Sequence, residues 1–243
     1  MARIGIIGSN GRMGRALAET IVAAGHDLAG GVDKGLGDVA ALAKASDVLL
    51  DFSSPHALEA NLDAAVAAGI PIVVGTTGLE ERHHWLCDSA ANTIAVLQTG
   101  NTSLGVNMLA HLVREAASRL GEDWDIEIVE THHRGKVDAP SGTALLLGEA
   151  AAEGRGAKLA DCSERGRDGI TGARARGAIG FASLRGGTVP GDHTVHLFGD
   201  HERIALSHFA EDRMIFAKGA VRAAQWLIGK AAGRYTMPEV LGL

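Results

Sequence analysis

Cysteine is nearly absent: Cys87 and Cys162 are the only two in 243 residues, and they stand in no C-x-x-C spacing. That excludes a disulfide framework and a cysteine-based zinc site, leaving two reduced structural thiols as the expectation. Positive charge is also short, with 23 Lys and Arg against 29 Asp and Glu and a net charge of −6. Nucleic-acid binding calls for a basic face, so it is not expected here. No apolar run approaches the ~18 residues of a membrane span. The N-terminus has no basic region, apolar stretch and cleavage site in series, so the expectation is a cytoplasmic protein without a membrane partner. Aromatic residues are only 4%. What is abundant is glycine, at 33 residues about twice the usual ~7%, which suggests tight backbone turns around a ligand. With 46% hydrophobic and 21% charged residues the chain can bury a sizeable core, as one large domain or two small ones.

Short apolar strands alternate with helical patterns over the first hundred residues. Strands are expected at 3–7, 27–32, 48–52, 70–74 and 94–98, and helices at 15–24, 55–68 and 80–91. This alternation implies a Rossmann-like doubly wound parallel sheet with right-handed crossovers. After a helix over 103–120 the pattern becomes α+β, with strands at 125–130, 178–185, 194–198 and 203–209 in a mostly antiparallel sheet. A long helical pattern over 213–230 returns to the first domain. The expected partition is therefore 1–102 plus 213–243 as a dinucleotide-binding domain, and 103–212 as a second, substrate-binding and oligomerisation domain.

Gly8-Ser9-Asn10-Gly11-Arg12-Met13-Gly14 follows the first strand and opens a helix. Glycines at this turn admit a pyrophosphate close to the backbone, and the helix N-terminus supplies N–H groups and partial positive charge. The spacing is G-x-x-G-x-x-G rather than G-x-G-x-x-G. Asp33 ends the second strand, where a carboxylate accepts hydrogen bonds from the ribose of NAD. The adjacent Lys34 suits the 2′-phosphate of NADP, so both NADH and NADPH are expected to serve. Gly75-Thr76-Thr77-Gly78 and Thr99-Gly100-Asn101-Thr102 end two further parallel strands, where ligands bind in open α/β sheets.

The densest chemistry lies in Glu130-Thr131-His132-His133-Arg134-Gly135-Lys136-Val137-Asp138-Ala139-Pro140-Ser141-Gly142-Thr143-Ala144. Ser141, Gly142 and Thr143 open a helix and form an anion site with Lys136 nearby, suited to a carboxylate. Imidazole and ammonium groups can move protons near neutral pH. Adjacent histidines on an extended segment face opposite ways, so one of His132 and His133 acts while the other binds or packs. A metal site is not expected, since His193 and His196 offer no complete ligand set. His83 and His84 lie in a polar stretch and are expected to be exposed.

These residues resemble one family, dihydrodipicolinate reductase, across nearly the whole chain. The carriers are Gly8 to Gly14, Asp51-Phe52-Ser53, Gly75 to Gly78, the stretch from Glu130 to Ala144, and Asp212-Arg213-Met214-Ile215-Phe216-Ala217-Lys218-Gly219-Ala220. The resemblance implies NADH- or NADPH-dependent reduction of a cyclic imine dicarboxylate in lysine and diaminopimelate synthesis. It further implies a homotetramer built through the central sheet, and hinge closure of the two domains. By the same resemblance His132 donates or accepts a proton, Lys136 donates one, and His133, Gly142 and Thr143 bind a substrate carboxylate. Gly8, Ser9, Asn10, Gly11, Arg12, Met13, Asp33, Gly75, Thr76, Thr77, Thr99, Gly100, Asn101 and Thr102 would hold the cofactor, with Lys34 at the NADP phosphate. The chain departs from the family pattern in lacking an aromatic residue near Thr102, and in its short stretch between Asp33 and Asp51. Two other readings are another NAD(P)-dependent dehydrogenase of an amino acid or sugar acid, and a non-catalytic NAD(P) sensor; the histidine, lysine and Ser-Gly-Thr cluster argues against both.

Overall fold

The computed structural model describes residues 1–243. Strand and helix alternate as β1 (Arg3–Ile7), α1 (Arg12–Ala23), β2 (Asp27–Val32), α2 (Val39–Ala45), β3 (Val48–Asp51), α3 (Leu58–Ala68), β4 (Ile72–Val74), α4 (Glu81–Ala91) and β5 (Ala95–Gln98). Next come α5 (Leu104–Leu120), β6 (Asp125–His132), α6 (Gly142–Gly154), α7 (Leu159–Cys162), β7 (Ser163–Arg165), β8 (Ile179–Arg185), β9 (Gly191–Gly199) and β10 (Glu202–Ala210). The chain ends with α8 (Met214–Leu227), β11 (Gly233–Tyr235) and α9 (Met237–Leu241). It divides into two compact units, Met1–Leu104 with Met214–Leu243, and Gly105–Arg213. No helix is long and apolar enough to cross a membrane.

The first unit holds a six-stranded, wholly parallel sheet in the order β11-β5-β4-β3-β1-β2. Its central strands read as continuous apolar runs, Val48-Leu49-Leu50 and Ile72-Val73-Val74, because both faces are covered. On one face Ile4, Ile6 and Leu50 pack with Leu17 and Ile21 of α1 and Ala220 and Ala224 of α8. On the other, Leu49, Ile72 and Val74 pack with Leu58, Leu62 and Ala65 of α3 and Cys87 of α4. Each of the larger buried side chains contributes roughly 1.5–3 kcal/mol. This is the doubly wound arrangement expected from the strand–helix alternation. The three-residue strand β11 was not legible there, since a Gly-Arg-Tyr segment has neither length nor alternation.

The second unit carries a five-stranded mixed sheet in the order β10-β9-β6-β8-β7. The antiparallel ladders of β9 with β10 and β6 hold more of the pairing, and β8 and β7 add in parallel. Along β6 every second side chain is buried, and this inward stripe runs Ile126, Ile128, Glu130, His132. The first two join a core with Val113 of α5, Leu147 of α6, Val195 and Leu197. The stripe thus turns from apolar to ionisable at the end of the strand that leads into the 133–141 loop.

α8 approaches the strand-end loops of its own unit closely. A Cβ on Gly219 would stand 1.8 Å from the Thr102 carbonyl oxygen, so only glycine permits this contact. Gly219→Ala should therefore cost roughly 1–3 kcal/mol through a forced backbone shift. Urea unfolding checks it, and unchanged stability would mean that α8 is not seated this way.

Candidate active site

In the first unit the turn after β1 is built by its glycines. Gly8 adopts φ +86°, and a Cβ on Gly14 would lie 2.3 Å from the Gly8 carbonyl oxygen. The amides of Gly8 and Ser9 donate to Val32 O at the end of β2 (2.9 and 3.1 Å), tying the turn to the strand that carries Asp33. The Asp33 carboxylate accepts from the amides of Asn10 (2.8 Å) and Lys34 (2.7 Å), so one side chain organises both the turn and the next loop.

Two adjoining hollows open at the carboxyl ends of these strands. A cleft of about 810 Å³ is lined by Gly8, Asn10, Gly11, Asp33 and Lys34 among others. A cavity of about 250 Å³ is lined by Met13, by Gly75, Thr76 and Thr77, and by Thr99, Gly100, Asn101 and Thr102. Of the cofactor residues expected from sequence, Ser9 and Arg12 line neither: the Ser9 hydroxyl turns back to Val32 O, and Arg12 is exposed at the start of α1. Phe52 and Ser53 border both hollows and were not among the expected residues, although they belong to the Asp51-Phe52-Ser53 motif. Phe216 of α8 also lines the smaller cavity, and its carbonyl accepts the Thr102 hydroxyl at 2.7 Å. The aromatic surface that the 99–103 loop lacks is thus provided from a distant helix.

Beneath these loops Asp51 is fully buried and accepts from Ser53 N, Ser53 Oγ, Asn61 Nδ2 and Thr76 Oγ1 at 2.6–3.2 Å. Burial pushes its carboxyl above the ordinary range against the pull of these donors. The donors nevertheless fix Ser53 and Thr76 at the rim. His83, expected to be exposed, is 2% exposed: its Nδ1 accepts the Glu80 amide at 2.8 Å and caps α4. Its neighbour His84 is exposed, with Nδ1 3.0 Å from Gln98 Oε1.

In the second unit Glu130 is 1% exposed and surrounded by donors. Arg185 meets it with both arms, Nη1 to Oε2 and Nη2 to Oε1 at 2.7 Å each, the Ser141 amide donates at 3.1 Å, and His132 Nδ1 lies 2.6 Å from Oε2. Burial alone would raise the Glu130 pKa, but Arg185, His132 and Ser183 hold it at about 2. His132 is lowered by burial, with Glu130 opposing and Lys136 and Arg185 adding to the depression. His193 sits opposite Glu130 on β9, its Nε2 3.0 Å from Ser141 Oγ, and burial drives its pKa down to about 4.

The two adjacent histidines do diverge. His132 is buried, whereas the half-buried His133 follows β6, its amide donating to Val189 O and its Nε2 accepting from Arg213 at 3.0 Å. Lys136 pairs with Asp138 at 2.8 Å. Ser141 caps α6 by accepting the Ala144 amide, which places Gly142 and Thr143 at the helix's positive end. Arg185 was missed in the sequence, and His193 was weighed there only as a metal ligand; only the β6–β8 and β6–β9 registers bring them to the Glu130–His132 pair.

Two family models match in tandem: "Dihydrodipicolinate reductase, N-terminus" over residues 2–102 and "Dihydrodipicolinate reductase, C-terminus" over 105–241. A 4-hydroxy-tetrahydrodipicolinate reductase of Zymomonas mobilis is 55% identical over 247 aligned positions, covering 99% of this chain and 97% of its own. One from Bradyrhizobium diazoefficiens is 50% identical over 264 positions, with the same coverages. In fold the chain is similar to the dipicolinate-bound dihydrodipicolinate reductase of Paenisporosarcina sp. TG-14, with a TM-score of 0.76, 22% identity and 98% of each chain covered.

Glu130 also predicts a pH dependence of stability. Its folded pKa of about 2 lies below its ordinary 4.5, so the ionised side chain contributes stability that is complete above pH 4.5 and lost as pH falls through about 2. Urea unfolding between pH 5 and 2.5 should show a shallower loss in Glu130→Gln than in the wild type, and parallel slopes would contradict the ionised assignment.

Proposed function

The chain belongs to the dihydrodipicolinate reductase family; it is an NAD(P)H-dependent oxidoreductase that reduces a cyclic imine dicarboxylate to tetrahydrodipicolinate in lysine and diaminopimelate biosynthesis, and we propose how its own residues carry that reaction. The observation that carries the assignment of roles is the buried Glu130–His132 pair at the end of β6, next to the loop and helix start that hold His133, Lys136, Gly142 and Thr143. No such cluster is needed by a nucleotide sensor.

The hollows of the first unit fit a dinucleotide: Gly8 and Gly11 line the larger cleft, α1 packs so closely on the turn that a Cβ at Gly14 would meet the Gly8 and Ser9 carbonyls, and the cleft ends at Asp33 and Lys34. Gly8, Asn10, Gly11 and Met13 would hold the pyrophosphate side, Asp33 the ribose and Lys34 a 2′-phosphate, with Ser9 and Arg12 supporting the turn. Gly75, Thr76, Thr77, Thr99, Gly100, Asn101 and Thr102 would border the nicotinamide, with Phe216 as its aromatic wall. Bound NADH or NADPH supplies a hydride to the conjugated imine.

His133, Gly142 and Thr143 hold a substrate carboxylate through the imidazole and the positive end of α6. The Lys136 ammonium lies beside the developing negative charge, disperses it and donates a proton. His132 delivers or accepts a proton from its Nε2, because Nδ1 is engaged by Glu130. The outward face of the second unit's sheet carries the exposed apolar side chains Leu184, Phe198 and Phe209, which supports a homotetramer assembled through that sheet. The unpaired Cys87 and Cys162 suit a cytoplasmic setting.

His132→Gln keeps a hydrogen-bonding side chain without a proton to exchange, so turnover should fall about 10²- to 10⁴-fold with little change in NADH binding. In the wild type, turnover should decline with rising pH as the imidazolium is lost, with a midpoint below the ordinary histidine value. Steady-state rates with enzymatically generated substrate test both, and a loss under about threefold would move the proton source to Lys136 or water. Lys34→Ala should raise the KM for NADPH more than that for NADH. An equal effect on both, or none, would remove Lys34 from the cofactor site.

A further inference from the structure

The buried Glu130 carboxylate meets the Arg185 guanidinium, the Ser141 amide and the His132 ring, yet it faces His132 rather than open space. Its position follows from strand registry: Glu130 and His132 are successive inward residues of β6, Arg185 is paired opposite His132 on β8, and His193 opposite Glu130 on β9. Both carboxylate oxygens are occupied, Oε1 by Arg185 Nη2 and the Ser141 amide, Oε2 by Arg185 Nη1 and His132 Nδ1. An anion held this way accepts and does not donate, so the proton of the 2.6 Å contact belongs to His132 Nδ1. The ring's other nitrogen has a reserved flank, for a Cβ on Gly191 would stand 2.9 Å from Nε2.

We propose that Glu130, clamped by Arg185 and the α6 cap, is a positioning residue for His132: it fixes the ring with Nδ1–H toward the carboxylate and leaves Nε2 as the nitrogen that exchanges the proton. The proposal rests on His132 being the proton-transfer group. The charged and titratable groups facing that ring are Glu130 on its own strand, Arg185 on β8, His193 on β9, and Lys136 in the following loop. Glu130 alone favours the imidazolium. His193, its ring centroid 5.1 Å away and edge-on, is bonded to Ser141 and stays neutral near pH 7, so it neither competes for the carboxylate nor replaces His132 as a cation. The geometry is that of an imidazole oriented by a carboxylate, in which the carboxylate selects the tautomer and stabilises the charged ring.

The test is the pH profile of kcat at saturating NADH for wild type, Glu130→Gln, Glu130→Asp and His132→Gln. Glu130→Gln should lower kcat about 10²-fold or more. It should leave the KM for NADH within about twofold and move the midpoint of the descending limb to lower pH. Glu130→Asp keeps the anion and should recover part of the rate and the wild-type midpoint. Should Glu130→Gln fail to fold with Arg185 unpaired, the double variant Glu130→Gln/Arg185→Gln removes the pair as a unit and should show the same shift. An unmoved midpoint, or a loss confined to the KM for NADH, overturns the proposal while a depressed His132→Gln leaves the role of His132 standing. Near-normal turnover in His132→Gln overturns both.

Discussion

A carboxylate that is 1% exposed stays ionised only when its lone pairs are met, and Glu130 meets that condition through the Arg185 fork, the Ser141 amide and the His132 ring. Each partner is delivered by a different element. Arg185 comes from β8, Ser141 from the cap of α6, and His132 from the same strand as Glu130. The cluster therefore ties a sheet to the start of a helix by charge rather than by apolar contact. It also fixes the end of β6, and with it the loop that holds His133 and Lys136. Removing one partner leaves a buried charge uncompensated, which typically costs about 3–5 kcal/mol. Stability of the second unit and the chemistry proposed for it consequently depend on the same few atoms.

The first unit solves a comparable problem with the opposite charge economy. Its turn after β1 directs the Gly8, Ser9 and Asn10 amides to Val32 O and Asp33, and what faces the cleft is the start of α1, which no side chain caps. Asp33 bridges that turn to the loop carrying Lys34, while Asp51 anchors the Ser53 and Thr76 loops from below. Both aspartates lie at the carboxyl ends of parallel strands, the place where an open α/β sheet binds ligands.

Much of this was legible in the sequence, in the order of how local each feature is. The strand–turn–helix of Arg3 to Ala23 and the cluster of ionisable side chains in 130–144 are short segments whose residues lie near one another because they are near in sequence. The second sheet, expected as mostly antiparallel, and the returning helix α8 were readable in kind from their apolar periodicities, whereas the parallel pairing of β8 with β6 was not. Arg185, His193 and Phe216 were not, because each reaches its site through strand pairing or helix packing between distant segments. His83 misled for another reason: a polar neighbourhood conceals that one nitrogen caps a helix and is buried by doing so. The strands β7 and β11 are three residues long and carry no pattern that a period could detect.

The central claim is that His132 bears a proton on Nδ1 toward an ionised Glu130 and exchanges its other proton at Nε2. Nitrogen-15 NMR of the histidine rings, with His132 assigned by comparison with His132→Gln, measures this directly. The claim predicts that near neutral pH Nδ1 of His132 stays protonated, with its proton shifted far downfield by the short bond to Glu130. Nε2 should be the nitrogen whose shift follows pH. A neutral ring protonated at Nε2, with Nδ1 titrating, would contradict it.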